Sequence, residues 1–226
     1  ILPAADTANY DLRLWDIGSY TGSGGGFGGG YLKYSTYGGS ASDFVIVNDN
    51  KAAAGTYYAG VINANGASSQ YRIEESTSVS LARRPGTEWN GPYVKATTNV
   101  LDMYEVYLPT GIHYILLDQT AGSCDLGMSL YDQSTVTARK NEYIADAYAN
   151  NLAEGADESF QLNITTAGFY GLAVWKVDAS DYNKSATYRI AVGNPAVKLL
   201  SPNGGEVIAA NTLRTITWDN FGNLDH

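Results

Sequence analysis

Apolar residues alternate with polar ones through most of this chain. In Tyr10–Asp16, Tyr10, Leu12 and Leu14 share one side while Asp11 and Arg13 share the other. That two-residue period predicts a half-buried β-strand. The same reading predicts strands over 31–34, 44–48, 56–63, 70–75 and 78–83. It continues with 101–108, 112–118, 126–132, 135–139, 158–164, 168–176 and 186–192. Clusters such as Gly38-Gly-Ser40 and Asn63-Ala-Asn-Gly66 punctuate them as turns. Gly18–Gly30 reads as a flexible glycine loop, with no Lys-Ser/Thr pair and no helical segment behind it to cradle a phosphate. Only 141–152 has a helical period, with Ile144, Ala147, Tyr148 and Leu152 on one face.

The strands repeat. Asp11-Leu-Arg-Leu-Trp-Asp16 returns as Asp125-Leu-Gly-Met-Ser-Leu-Tyr-Asp132, and Ala54-Gly-Thr-Tyr-Tyr-Ala-Gly-Val61 as Ala167-Gly-Phe-Tyr-Gly-Leu-Ala-Val174. Gln70-Tyr-Arg-Ile-Glu74 returns as Thr187-Tyr-Arg-Ile-Ala191. A repeat at this spacing is read before the fold, because each copy must bury one apolar face. The second copy has a front portion, Thr98–Ser123, that the first lacks. The expected fold is all-β, with tandem antiparallel β-sandwiches of jelly-roll type and little or no helix. Its expected parts are a first repeat over 1–83 without its front strands, a linker over 84–97, a complete sandwich over 98–193, and an incomplete segment over 194–226.

Composition narrows the chemistry. Eighteen tyrosines and 25 glycines among 226 residues suit pleated strands and turns. A formal net charge of -9 argues against nucleic acid and against anionic membrane surfaces. No run approaches the ~20 apolar residues of a spanning helix, so membrane insertion is not expected. Cys124 is the one cysteine, which excludes an intrachain disulfide and reads as a small buried residue.

Asp102-Met-Tyr-Glu-Val-Tyr-Leu-Pro-Thr-Gly-Ile-His-Tyr114, Asp125–Asp132, Ala167–Val174 and Tyr188-Arg-Ile190 together resemble the bacterial pre-peptidase C-terminal domain. The resemblance covers 98–193, and 10–75 as a half-domain. It implies a small antiparallel sandwich in a secreted or surface protein, with an accessory, binding or assembly role. Ser201-Pro-Asn-Gly-Gly-Glu206 with Ile216-Thr-Trp218 resembles the opening of an immunoglobulin-like domain of bacterial surface proteins.

Calcium is the cofactor the carboxylates suit, since hard cations take several oxygens. Asp125, Asp132, Asp157 and Glu158 are the candidate ligands, with Asp11, Asp16 and Asp43 as their counterparts in the first copy. These aspartates equally serve as strand-ending residues that bond turn amides. His113 and His226 have no third ligand for zinc. No Gly-x-Ser-x-Gly elbow occurs, and no catalytic cluster is expected. Asn163 and Asn183 head glycosylation-type triplets. Trp15, Trp89, Trp175, Tyr34, Tyr37 and Tyr93 are candidate sugar-stacking aromatics.

Two roles are expected to compete. One is an extracellular or cell-surface structural subunit that polymerises with its own kind by strand complementation, through Ile1, Leu2, Val197, Leu199 and Leu200. The other is a module that binds glycans or matrix for a secreted hydrolase.

Overall fold

The computed structural model describes residues 1–16, 31–48, 52–83, 89–132, 136–138, 147–149, 154–194, 196–202, 207 and 209–221. The glycine loop of 18–30 lies outside them. Strands dominate, and they pair antiparallel with one exception. The sandwich of the second repeat has two sheets. One is built from β14 (Glu158–Ile164), β10 (Gly111–Gly122), β16 (Ala186–Gly193) and β8 (Asn90–Lys95), in that order. The other runs β13 (Ala147–Ala149), β11 (Leu126–Tyr131), β15 (Gly168–Lys176), β9 (Leu101–Leu108) and β7 (Ser78–Ser80).

The period of two in the sequence is the reason this sandwich closes. Tyr104, Val106 and Leu108 point inward from β9, Tyr170, Leu172 and Val174 from β15, and Leu126, Met128 and Leu130 from β11. They meet Ile115, Leu117, Phe160, Leu162, Ile164, Tyr188, Ile190 and Val192 of the facing sheet. Interdigitation of two apolar faces is the standard packing of such sheets. Cys124 is buried at the edge of this core.

The other face of the five-stranded sheet is also covered. Trp175 lies over Gly127 and is capped by Phe44, with ring centroids 5.2 Å apart. Met103, Tyr131 and Ala173 complete that cluster. The segment around Phe44 is held in place by backbone bonds, Ser42 N–H to the Val177 carbonyl at 2.9 Å and Ala179 N–H to the Ser40 carbonyl at 3.1 Å. β4 (Val45–Val47) then pairs with β12 (Val136–Ala138) of the second repeat.

The first repeat forms a smaller structure. β2 (Tyr10–Asp16) sits between β3 (Lys33–Ser35) and β5 (Tyr57–Asn63), and β1 (Leu2–Pro3) pairs with β6 (Tyr71–Arg72). Its ladder matches that of the second repeat. β2 pairs Leu12 with Val61 and Leu14 with Ala59, as β11 pairs Met128 with Val174 and Leu130 with Leu172. The ladders coincide when Asp16 is matched to Asp132. Asn9, rather than Asp11, then stands in the place of Asp125. Two backbone bonds confirm this: Ala64 N–H to the Asn9 carbonyl at 2.9 Å, and Val177 N–H to the Asp125 carbonyl at 3.1 Å. Sequence matching tracked the aspartates; the ladder tracks the side facing the core.

Two expectations change. The segment read as a linker, 84–97, contains β8, which pairs with β16 from Lys95 to Asn90. Its glycine and proline looked like punctuation, but an edge strand tolerates proline. The helical period of 141–152 is not a helix where it is described, since Ala147–Ala149 is a strand against β11. Within 194–226, β17 (Ala196–Ser201) pairs with β18 (Thr217–Phe221) as a hairpin.

Gly127→Ala places a Cβ 2.5 Å from the Trp175 ring. Overpacking of this kind costs about 1–3 kcal/mol. Urea unfolding is expected to show that loss with an unchanged m-value.

Candidate functional site

Two groups of buried charge lie at the Ala96–Asn99 end of the sandwich. In the first, Lys95 is fully buried and its ammonium stands 2.8 Å from Asp102 Oδ2. The Tyr188 hydroxyl donates to the same oxygen at 2.6 Å, and the Tyr104 and Tyr188 hydroxyls are 2.6 Å apart. Burial lowers the Lys95 pKa against the opposing pull of Asp102, and burial raises both tyrosines. Tyr93 packs on both rings at 4.9 and 5.8 Å. The group joins β8, β9 and β16. A groove of about 180 Å³ opens onto it, lined by Asp102 and Tyr104 together with Val79, Tyr93, Val94 and Met103.

In the second group, Asp181 Oδ1 accepts the Asp125 N–H at 3.0 Å and pairs with Lys184 at 3.4 Å. Lys184 also pairs with Glu154. Asp181 belongs to a single 3-10 turn, Ala179–Asp181, which Asp178 caps by accepting the Ser180 N–H at 2.8 Å. Burial, then the charges of Asp181 and Asp178, pushes the Asp125 carboxyl up to about 6. Burial raises Asp181 as well. In the first repeat the same turn is built from amides, with the Asn9 N–H donating to Asn65 Oδ1 at 3.3 Å. Nearby, Lys176 Nζ donates to the carbonyls of Ala96, Thr97 and Lys184 at 3.1, 3.0 and 2.7 Å. These charges tie loops to the core.

The expected calcium quartet does not assemble. Asp125 and Asp132 flank the two ends of β11, ~23 Å apart at ~3.3 Å per residue, whereas one ion needs ligands at ~2.4 Å. Asp157 accepts the Gln119 N–H at 3.0 Å, and Glu158 sits opposite Leu117 on the other sheet. Asp43 accepts from Ser35 and from the Tyr37 N–H, which makes it a turn organiser. Asp11 and Asp16 lie on β2. Among the described residues no group of three or more His, Cys, Asp or Glu is arranged to hold a metal.

The other candidates are also placed. Burial pushes the Cys124 thiol up to about 11, the opposite of a nucleophile. His113 is buried, with Nε2 2.7 Å from the Pro109 carbonyl. Trp15 and Trp175 are buried. Trp89 carries the Arg189 guanidinium 4.2 Å above its ring. Tyr34 stacks edge-on with Tyr31 at 4.9 Å. Asn163 and Asn183 are exposed. Ile1 and Leu2 are buried in their own chain, where Leu2 pairs with Arg72, so they are not free to enter a neighbour. No helix among the described residues is long and apolar enough to cross a membrane.

The first repeat, expected to lack its front strands, has an unclosed core among the described residues. Tyr188 and Ile190 are both 0% exposed, while their repeat equivalents Tyr71 and Ile73 are 43% and 54% exposed. Leu12, Leu14 and Val61 are only half-buried, where Met128, Leu130 and Val174 are fully buried. The described first repeat has no counterpart of β8 or β9, and β5 pairs only with β2.

No protein-family model matches this chain, and no curated protein does. Among solved structures, it is similar to the pre-peptidase C-terminal domain of a collagenase from Bacillus anthracis. That similarity is 19% in sequence, covers 54% of this chain and 99% of that domain, and has a TM-score of 0.34.

Asp102→Ala leaves Lys95 buried and unpaired. Loss of one partner of such a pair costs about 3 kcal/mol or more, measurable by chemical denaturation. Asp125 gives a signed pH dependence. Its proton is held more tightly in the folded state, so folding stability falls as pH rises from 3.8 to about 6. Asp125→Asn is expected to remove that share of the slope and to stabilise the protein at neutral pH by about 1 kcal/mol, discounted for partial exposure. Unfolding curves at a series of pH values check both.

Proposed function

We propose that this chain is a non-enzymatic extracellular structural protein, a subunit that joins copies of itself into a filament by strand complementation. The observation that carries this reading is the half-open core. The chain displays one apolar face in two states, closed around Tyr188 and Ile190 and open around Tyr71 and Ile73. Exposed apolar surface and an unpaired strand edge in one place favour capture of a strand. A head-to-tail contact between unlike surfaces builds an open filament wherever its rotation does not close a ring. The buried charges fit a scaffold: Lys95 with Asp102, and Lys176 with three carbonyls, bind strands and loops together.

A second reading keeps one observation of its own. Tyr107 and Phe169 are 49% and 57% exposed and stack edge-on at 5.3 Å. An exposed aromatic pair on a sheet suits contact with a glycan or matrix polymer, the role of an accessory module.

Sedimentation and negative-stain electron microscopy over about a hundredfold range of concentration separate the two. The filament reading expects fibres or a growing series of oligomers. A monomer throughout, with retention on an insoluble glycan that Phe169→Ala abolishes, would replace it with the module reading.

A further inference from the structure

The second repeat shows what belongs on the open edge of the first. There β9 lies antiparallel along β15, and β7 lies outside β9. Alternate N–H groups of β15 go to opposite neighbours: Val177 to the Asp125 carbonyl, Lys176 to the Val100 carbonyl. In the first repeat Ala64 N–H goes to the Asn9 carbonyl on the β2 side. By the same alternation Asn63, Val61, Ala59 and Tyr57 direct their N–H groups to the other edge of β5, where no strand pairs among the described residues.

β17 and β18 also form a hairpin. Ile216, just before β18, and Trp218, within it, are 58% and 57% exposed, and among the described residues β18 pairs only with β17. Trp218 in β18 and Ile216 just before it thus offer two exposed apolar side chains beside one strand. β17 follows the second repeat as β7 follows the first, and Val197-Lys-Leu199 matches Val79-Ser-Leu81. Leu81 is 6% exposed and packs into the second repeat's core.

We infer that the β17–β18 hairpin of one copy docks on the first repeat of the next, with β18 running along the free edge of β5. This rests on the filament reading and specifies its interface. Ile216 and Trp218 enter the open core beside Val61, Tyr71 and Ile73. β17 takes the outer place that β7 holds in the second repeat. The match is one of strand order, because β7 runs parallel to β9 whereas β17 runs antiparallel to β18.

Two variants and one mapping experiment test it on the whole chain. Ala59→Pro removes an N–H aimed at the free edge, a position where proline is tolerated. Trp218→Asp changes an exposed donor side chain and leaves the fold of the second repeat intact, checked by its unfolding curve. Each is expected to weaken assembly at least about tenfold, as for an aromatic anchor at an interface. Hydrogen exchange is expected to show Tyr57–Asn63 amides gaining protection on assembly. If both variants assemble like the wild type and those amides exchange as in the monomer, this pairing is wrong and the filament reading survives. If the wild-type chain does not assemble at any concentration, both fall.

Discussion

β15 is satisfied on every side. β11 and β9 bond its two edges, Leu172 and Val174 fill the core beneath it, and Trp175 on its outer face is sealed by Phe44. A strand in that position can be apolar on both faces without cost, because neither water nor an unpaired amide reaches it. The rest of the sandwich is arranged to keep it so. Gly127 makes room for the Trp175 ring, and the Phe44 segment crosses from the first repeat to cover it. β5 has the same sequence pattern and the same ladder with β2, yet among the described residues it has one neighbour and a half-covered face.

The contrast between β5 and β15 explains why the two repeats are unequal partners. The first repeat gives up part of its own closure to the second. Its β4 pairs with β12, its Phe44 caps Trp175, and its Arg72 bonds the Thr97 carbonyl at 2.6 Å while lying 3.7 Å from the Tyr182 ring. Glu74 accepts the Val100 and Leu101 N–H groups at the start of β9. These contacts make the first repeat a buttress for the complete sandwich. They leave its own apolar positions turned toward solvent or a partner.

Charge follows the same division. In the first repeat the turn at Asn9 and Asn65 is neutral and exposed. In the second the matching turn is carboxylate-rich, partly buried and balanced by Lys184. Buried ion pairs seldom add net stability over an apolar replacement, but they are costly to break singly. Lys95 with Asp102, and Lys176 with three carbonyls, therefore act as fixed pins that hold strand ends and loops in one arrangement.

Much of this was legible in the residues. Period-two alternation in Tyr10–Asp16, Leu101–Leu108 and Glu158–Ile164 determined strands and their inward faces, because side chains on a strand alternate whatever lies around it. The repeat was visible for the same reason: a β-hairpin buries one face, and the residues of that face recur. What only the tertiary structure decided was partnership. Asp125 and Asp132 look like neighbours in a motif but end opposite tips of one strand. Pro92 looks like a linker but sits in an edge strand. Ile1 and Leu2 look like a free arm but are buried beside β6. Alternation says which side of a strand is apolar; which surface covers that side depends on residues distant in the chain. At Tyr71 and Ile73 the fold leaves that side uncovered.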